Sequence, residues 1–210
     1  MRTSSDQRQQ APYWARYTDG NGTWRPHLAD GPPGSELAAL RRGIDKEPGS
    51  VSSMWPFYTT LTEDGRLSDE LRAEHLTLTL FAVHHQGARH PLDRRSIGVG
   101  AAMLALRRSG KFSEDAVDRR FAAAATASSL GEVGHHLRCL ITQLRSIGQG
   151  LSYTHLFRDL IAWQSPERQG SIRRHWGAQY FAWRPAESEP TTTAPLSSES
   201  PELPHHKEQS

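Results

Sequence analysis

Between Ser96 and Ile147 the apolar residues return at intervals of three and four, the spacing that gathers side chains on one side of an α-helix. Leu130, Val133, Leu137, Leu140, Ile141, Leu144 and Ile147 form one such stripe, which predicts a helix facing the core. Upstream, Gly110 suits a left-handed residue closing one helix. Ser113 suits the N-cap of the next, with Glu114 and Asp115 in the first turn, where the helix dipole favours acids. A helical hairpin follows.

The same reading extends along the chain. Ser35 is placed to cap a helix with Leu37, Leu40 and Ile44 on one face. Met54, Trp55, Phe57 and Tyr58 around Pro56 predict an interrupted helix wedged into the core. Ser68 is placed to cap a longer helix, with Asp69 and Glu70 opening it and apolar residues spread over more than one face, so this helix should be central and should end near Gly87. Ser152 is placed to cap a helix carrying Leu156, Leu160 and Trp163. Ser165-Pro166-Glu167 starts the last one, with Ile172, Trp176, Tyr180 and Trp183 along one side and Arg174 turned away. No segment alternates with period two. The expectation is an all-α fold, a compact helical bundle of about eight helices.

Three regions are expected. Residues 1–34 combine Tyr13, Trp14, Tyr17 and Trp24 with turn signals at Asp19-Gly20-Asn21-Gly22 and Pro32-Pro33-Gly34, giving a short anchored N-terminal arm broken by turns. Residues 35–184 form the helical domain. Residues 185–210 are Pro, Ser, Thr and Glu with few apolar side chains and should be a disordered acidic tail.

Charge sharpens this division. The formal net charge is only +2, but residues 35–184 hold 20 Lys or Arg against 15 Asp or Glu, while residues 185–210 hold one against five. The body is basic. Of the 25 cations 22 are Arg, the residue best matched to bidentate phosphate contacts, although a GC-rich genome yields the same bias. The single cysteine, Cys139, excludes an intramolecular disulfide and a cysteine-rich zinc site and fits a reducing cytoplasm. The opening MRTSSDQRQQ lacks the apolar segment of a signal peptide, and Ile97–Leu106 is too short to span a bilayer, so no membrane partner is expected.

No phosphate loop, G-x-G-x-x-G or G-x-S-x-G motif is present. His84-His85, His90 and His135-His136 open one alternative, a helical metal enzyme. They lack H-E-x-x-H spacing and any Cys partner, so the expectation is no metal and no cofactor. The cations open another reading. At about 100° per residue, His135, Arg138, Thr142 and Arg145 fall on a flank beside the apolar stripe. With Arg107, Arg108, Lys111, Arg119 and Arg120 around the preceding turn, one unit brings seven Lys or Arg together with three acids, Glu114, Asp115 and Asp118, between them. Arg pairs recur at Arg41-Arg42, Arg107-Arg108, Arg119-Arg120 and Arg173-Arg174, near helix ends or polar sides, as a surface tracking phosphates requires. Most aromatics fall on apolar stripes, so backbone contact is favoured over base stacking. A free-standing helix-turn-helix regulator is disfavoured, because no short turn leads into a helix dense in base-reading Asn, Gln and Arg.

The chain resembles the CasB family, the small helical subunit of the type I-E CRISPR surveillance complex Cascade, over Leu37 to Trp183. The resemblance rests on Leu40-Arg41-Arg42, Met54-Trp55-Pro56-Phe57-Tyr58, Ser96-Ile97-Gly98, Ser109-Gly110-Lys111 and Arg119-Arg120-Phe121, taken in order. It continues through His136-Leu137-Arg138, Tyr153-Thr154-His155-Leu156 with Asp159-Leu160, and Trp176-Gly177-Ala178-Gln179-Tyr180-Phe181. It implies an all-α pair of helical lobes, two copies head to tail in the complex, and a basic surface that holds guide RNA, target DNA and the displaced strand without reading sequence. It also implies other Cascade proteins as partners and no catalytic activity. Arg41, Arg42, Lys111, Arg119, Arg120 and Arg138 occupy the positions of that family's basic patch; Arg107, Arg108 and Arg145 join them as candidates from their helix-flank placement. The N-terminal arm and acidic tail depart from the shortest members. The modest free-energy difference between a DNA duplex and an RNA–DNA hybrid lets such a clamp tip strand exchange.

Overall fold

The computed structural model describes residues 11–28 and 31–181. The expected tail, residues 185–210, and Trp183 lie outside them. In chain order the helices are α1 (Tyr13–Arg16), α2 (Gly34–Arg41), α3 (Asp69–His84), α4 (Val99–Arg108), α5 (Glu114–Thr126), α6 (Leu130–Ser146), α7 (Tyr153–Trp163) and α8 (Pro166–Tyr180), with 3-10 turns at Pro26–Leu28 and Ser52–Phe57. Among the described residues the only β pairing is two isolated bridges, Thr18 with Trp24 and Asp93 with Leu151. The fold is all-α, and none of these helices is long and apolar enough to cross a membrane.

The central helix is α3. Ser68 Oγ accepts a hydrogen bond from the Leu71 N–H, as the sequence predicts. Its interior buries residues on every side, including Leu71, Ala73, Leu78, Leu80 and Phe81, and it packs against α2, α6 and α7. Where α6 crosses it the approach is close: a Cβ on Gly134 would fall 2.7 Å from Leu76 Cδ1. α8 lies against α4 and α7, and there the backbones nearly touch, because a Cβ on Gly100 would fall 2.1 Å from the Trp176 carbonyl oxygen. Gln179 completes that junction by accepting a bond from the Gly100 N–H in the first turn of α4, at 3.1 Å. Trp176, fully buried, stacks on Trp163 at 5.1 Å and donates its Nε1–H to Asp159 Oδ2 at 2.7 Å. The buried apolar residues join into one cluster running from Tyr13 to Tyr180.

Three local expectations are changed. α2 begins at Gly34 with Pro33 as its N-cap, so Ser35 lies inside the first turn instead of capping it. Pro56 is accommodated in a 3-10 turn, which buries Met54 and Tyr58 but leaves Trp55 55% exposed with its Nε1–H on the Gly49 carbonyl. The arm from residue 11 onward contributes to the main core: Tyr13 and Trp14 are fully buried, and the Tyr13 and Tyr17 hydroxyls both donate to Glu36 Oε2.

Candidate nucleic-acid interface

The α4–α5 hairpin is built as its sequence requires. Gly110 adopts φ +69° after α4, and Leu106, Val117 and Phe121 turn inward. Ser113 stands at the N-cap of α5, but its side chain makes no capping bond. With the apolar residues inside, the arginines fall outward, yet they meet different surroundings. Arg107 does not face solvent alone. Its Nε donates to Asp118 Oδ1 at 2.9 Å and its Nη2 to Glu114 Oε2 at 2.7 Å, so two of the three acids near the hairpin are spent on it. Tyr180 on α8 also donates to Asp118 Oδ1. Partial burial, then that carboxylate, holds the Tyr180 hydroxyl above its ordinary pKa. Asp118 therefore joins three helices, taking Arg107 from α4 and Tyr180 from α8.

Three more of the predicted cations are engaged. Lys111 Nζ donates to the Ser146 carbonyl at 2.8 Å, satisfying an open acceptor at the C-terminal end of α6, where a cation is favoured. Arg138 Nη1 donates to Asp45 Oδ1 at 2.9 Å, and Nη2 to His135 Nδ1 at 3.4 Å. Asp45 lies three residues beyond Arg42 at φ +58°, so this pair draws the turn after α2 onto α6. Arg145 Nη1 donates to the Val83 carbonyl at 3.0 Å and to Gln86 Oε1 at 3.2 Å, at the C-terminal end of α3. The expected grouping of Arg138 and Arg145 on one flank of α6 thus resolves into two different attachments.

The other five behave differently. Arg42, Arg108, Arg119 and Arg120 are exposed and Arg41 is half-buried, and none has a carboxylate within 4 Å among the described residues. Arg108, Arg119 and Arg120 share the α4–α5 hairpin; Arg41 and Arg42 close α2, which packs on α3. Their guanidinium groups keep all five N–H donors for water or a ligand.

Two of the histidines raised for a metal site, His84 and His85, are occupied otherwise. His84 Nε2–H donates to the Gln149 carbonyl at 3.0 Å and Nδ1 accepts from the Tyr153 hydroxyl at 2.8 Å. His85 Nδ1–H donates to Phe81 O at 3.1 Å and Nε2 accepts from the Leu92 N–H at 3.0 Å, which requires a neutral ring. Burial lowers both pKa values, that of His85 to about 3. Among the described residues no three His, Cys, Asp or Glu gather as a ligand set.

One cationic group escaped the sequence reading. Arg89, Arg94 and His90 lie in the α3–α4 connection beside Arg145, around a recess of about 400 Å³. Arg94-Arg95 was a legible Arg pair, but it sits in a loop and not on a helix end, so helical periodicity gives it no face.

Comparison with known proteins adds the following. The family model for CRISPR-associated protein Cse2 matches residues 36–181. Among solved structures, CasB from Thermobifida fusca is similar with a TM-score of 0.58 at 23% identity, over 83% of this chain and 91% of that one. M. ruber CasB gives a TM-score of 0.58 at 22% identity, over 83% and 93%. A chain of a CRISPR RNA-guided surveillance complex gives 0.55 at 24% identity, over 72% and 83%. At these identities the likeness is one of fold. No curated protein sequence matches the chain.

Proposed function

Because this chain belongs to the CRISPR-associated Cse2 family, whose model spans most of its length, we propose that it is a non-catalytic small subunit of a Cascade-type surveillance complex. In this reading it holds guide RNA and target DNA, including the displaced strand, by their backbones and so stabilises the R-loop. Its partners are the other Cascade proteins and a second copy of itself, placed head to tail. The observation that carries the reading is the set Arg41, Arg42, Arg108, Arg119 and Arg120, at the ends of α2 and α4 and on the exposed side of α5, which have no carboxylate partner among the described residues. Phosphate binding needs cations that are hydrated and unpaired in the free protein, so that counterions are released when a strand docks. Arg107 and Arg138, already ion-paired, fix where the hairpin and the α2 turn stand. The hydrogen-bonded state of His84 and His85 speaks against the metal-enzyme alternative.

The reading is tested by titrating single-stranded and duplex DNA of several sequences with the wild type and an Arg108/Arg119/Arg120 triple alanine, at several salt concentrations. Each lost phosphate contact should make the log-log salt slope shallower by about 0.7 to 0.9, with no change in sequence preference. In the assembled complex the triple variant should still incorporate but hold target DNA more weakly. Equal affinities and slopes would show these arginines to be solvated surface only.

A further inference from the structure

The recess beside α6 has a composition unlike the rest of the surface. Its charged and ionisable lining is wholly basic, from Arg89, His90, Arg94 and Arg145, and among the described residues no carboxylate lines it. Two acids close in sequence to the lining residues are turned elsewhere. Asp93 is buried and accepts the Tyr153 N–H at 3.0 Å, and Asp19 Oδ1 accepts the N–H groups of Asn21 and Thr23. Two of the three guanidinium groups are held by carbonyls: Arg94 Nη1 donates to Asn21 O at 2.6 Å, and Arg145 Nη1 to Val83 O. A carbonyl orients an arginine without neutralising it, and each group keeps further N–H donors to offer.

The backbone makes room for this arrangement. Gly22, Gly87 and Gly148 line the recess at φ +105°, +71° and +67°, conformations that favour residues without a Cβ. At Gly22 the need is steric as well, since a Cβ would fall 1.3 Å from Arg94 Nη1. A second recess of about 350 Å³ adjoins the first across Arg94 and Gly148 and is otherwise neutral, offering the polar groups of Asn21, Ser96 and Gln149. A cationic chamber with bidentate arginines suits a phosphate, and an adjoining neutral, hydrogen-bonding chamber suits a sugar or base.

We propose that this double recess is a binding site for a nucleotide phosphate, distinct from the unpaired arginines of α2, α4 and α5, with Arg89, Arg94 and Arg145 taking the phosphate and the Ser96–Gln149 side taking the nucleoside. The phosphate comes either from a nucleic-acid strand or from a free nucleotide. The test uses the full chain with a labelled single-stranded oligothymidylate, adenosine diphosphate and tripolyphosphate as probes. Arg89→Glu reverses one exposed charge, and Ser96→Trp fills the neutral chamber without changing charge. Thermal melts establish that both variants fold. Charge reversal should weaken at least one probe on the order of tenfold, as for loss of a charged hydrogen bond. Ser96→Trp should weaken the nucleotide probes and leave tripolyphosphate bound. Binding of the oligonucleotide but not of adenosine diphosphate assigns the site to a strand; binding of both, in competition, assigns it to a free nucleotide as well. The Arg108/Arg119/Arg120 variant separates this site from the interface above. If it alone loses oligonucleotide affinity while Arg89→Glu and Ser96→Trp match the wild type for all three probes, the recess proposal is overturned and the interface reading stands. If the recess variants alone lose affinity, the interface reading falls instead.

Discussion

Glu74 in the middle of α3 and Arg119 on α5 are both charged side chains on helices, and the chain surrounds them in opposite ways. Glu74 is fully buried, and its carboxylate accepts from the N–H and hydroxyl of Thr59 and from the N–H and hydroxyl of Thr60, at 2.6 to 3.0 Å. Arg119 is exposed and, among the described residues, has no carboxylate partner. A charge removed from water must be met by fixed donors, because an unmet one costs several kcal/mol. A charge left in water costs nothing to keep and can exchange its counterions for a ligand's phosphates. The interior spends polar groups on holding elements together; the periphery keeps them available. Arg107 stands between, half in each regime.

The interior half of this contrast is most sharply tested by acid. His85 is a neutral ring with both nitrogens committed, and burial lowers its pKa to about 3, against about 6.5 when unfolded. Because the folded value is the depressed one, its stabilising contribution is complete above pH 6.5 and is lost as pH falls toward 3. In His85→Gln the amide oxygen still accepts the Leu92 N–H but nothing titrates. The stability gap between wild type and variant should therefore shrink by about 3 kcal/mol between pH 7 and pH 4, read from urea unfolding at each pH. Taking the difference cancels Asp93, whose carboxyl burial raises to about 6 and whose protonation acts in the opposite direction over the same window. A constant gap would mean that the ring is not the neutral hydrogen-bonding group described. Glu74→Gln tests the same principle without titration: it turns one acceptor into an amide N–H₂ facing the donors of Thr59 or Thr60. The expected loss is about 2 kcal/mol at neutral pH.

How far the sequence reaches follows the same division. Apolar spacing places α3 to α8, and Ser68 and Ser152 cap as read, because periodicity and capping are local and repeat many times over. Ser129 with Glu132 is an equally local N-terminal signature: Ser129 Oγ accepts the Glu132 N–H while Glu132 accepts from Ser128. The depth of Tyr13 and Trp14 was not legible, since a four-residue helix among turns has no period to show which face is buried. Nor was the fate of each cation. Arg138 finds Asp45 and Lys111 finds the Ser146 carbonyl across long stretches of chain, and whether an arginine is paired or free depends on such meetings. Side-chain type marked the basic body correctly; only the packing separates structural cations from available ones.

That separation gives the smallest and most selective prediction, on two arginines of the same hairpin. Arg107→Ala removes contacts to Glu114 and Asp118 but leaves both carboxylates partly solvated, so water can take over much of the bonding. It should lower stability only slightly, as for partly exposed ion pairs, though by more than Arg119→Ala. Arg119→Ala removes no hydrogen bond or ion pair to a described residue and should change stability by less than about 0.5 kcal/mol. On DNA the ranking should invert. Arg119→Ala should make the salt slope shallower by about 0.7 to 0.9, whereas Arg107→Ala, which removes a cation already neutralised by two carboxylates, should leave the slope nearly unchanged. Denaturant melts and salt titrations on the same two proteins would read both effects. If Arg107→Ala moved the slope as much as Arg119→Ala, pairing in the free protein would not decide which arginines meet phosphate, and the contrast between engaged and available cations would fail at the surface where it matters for binding.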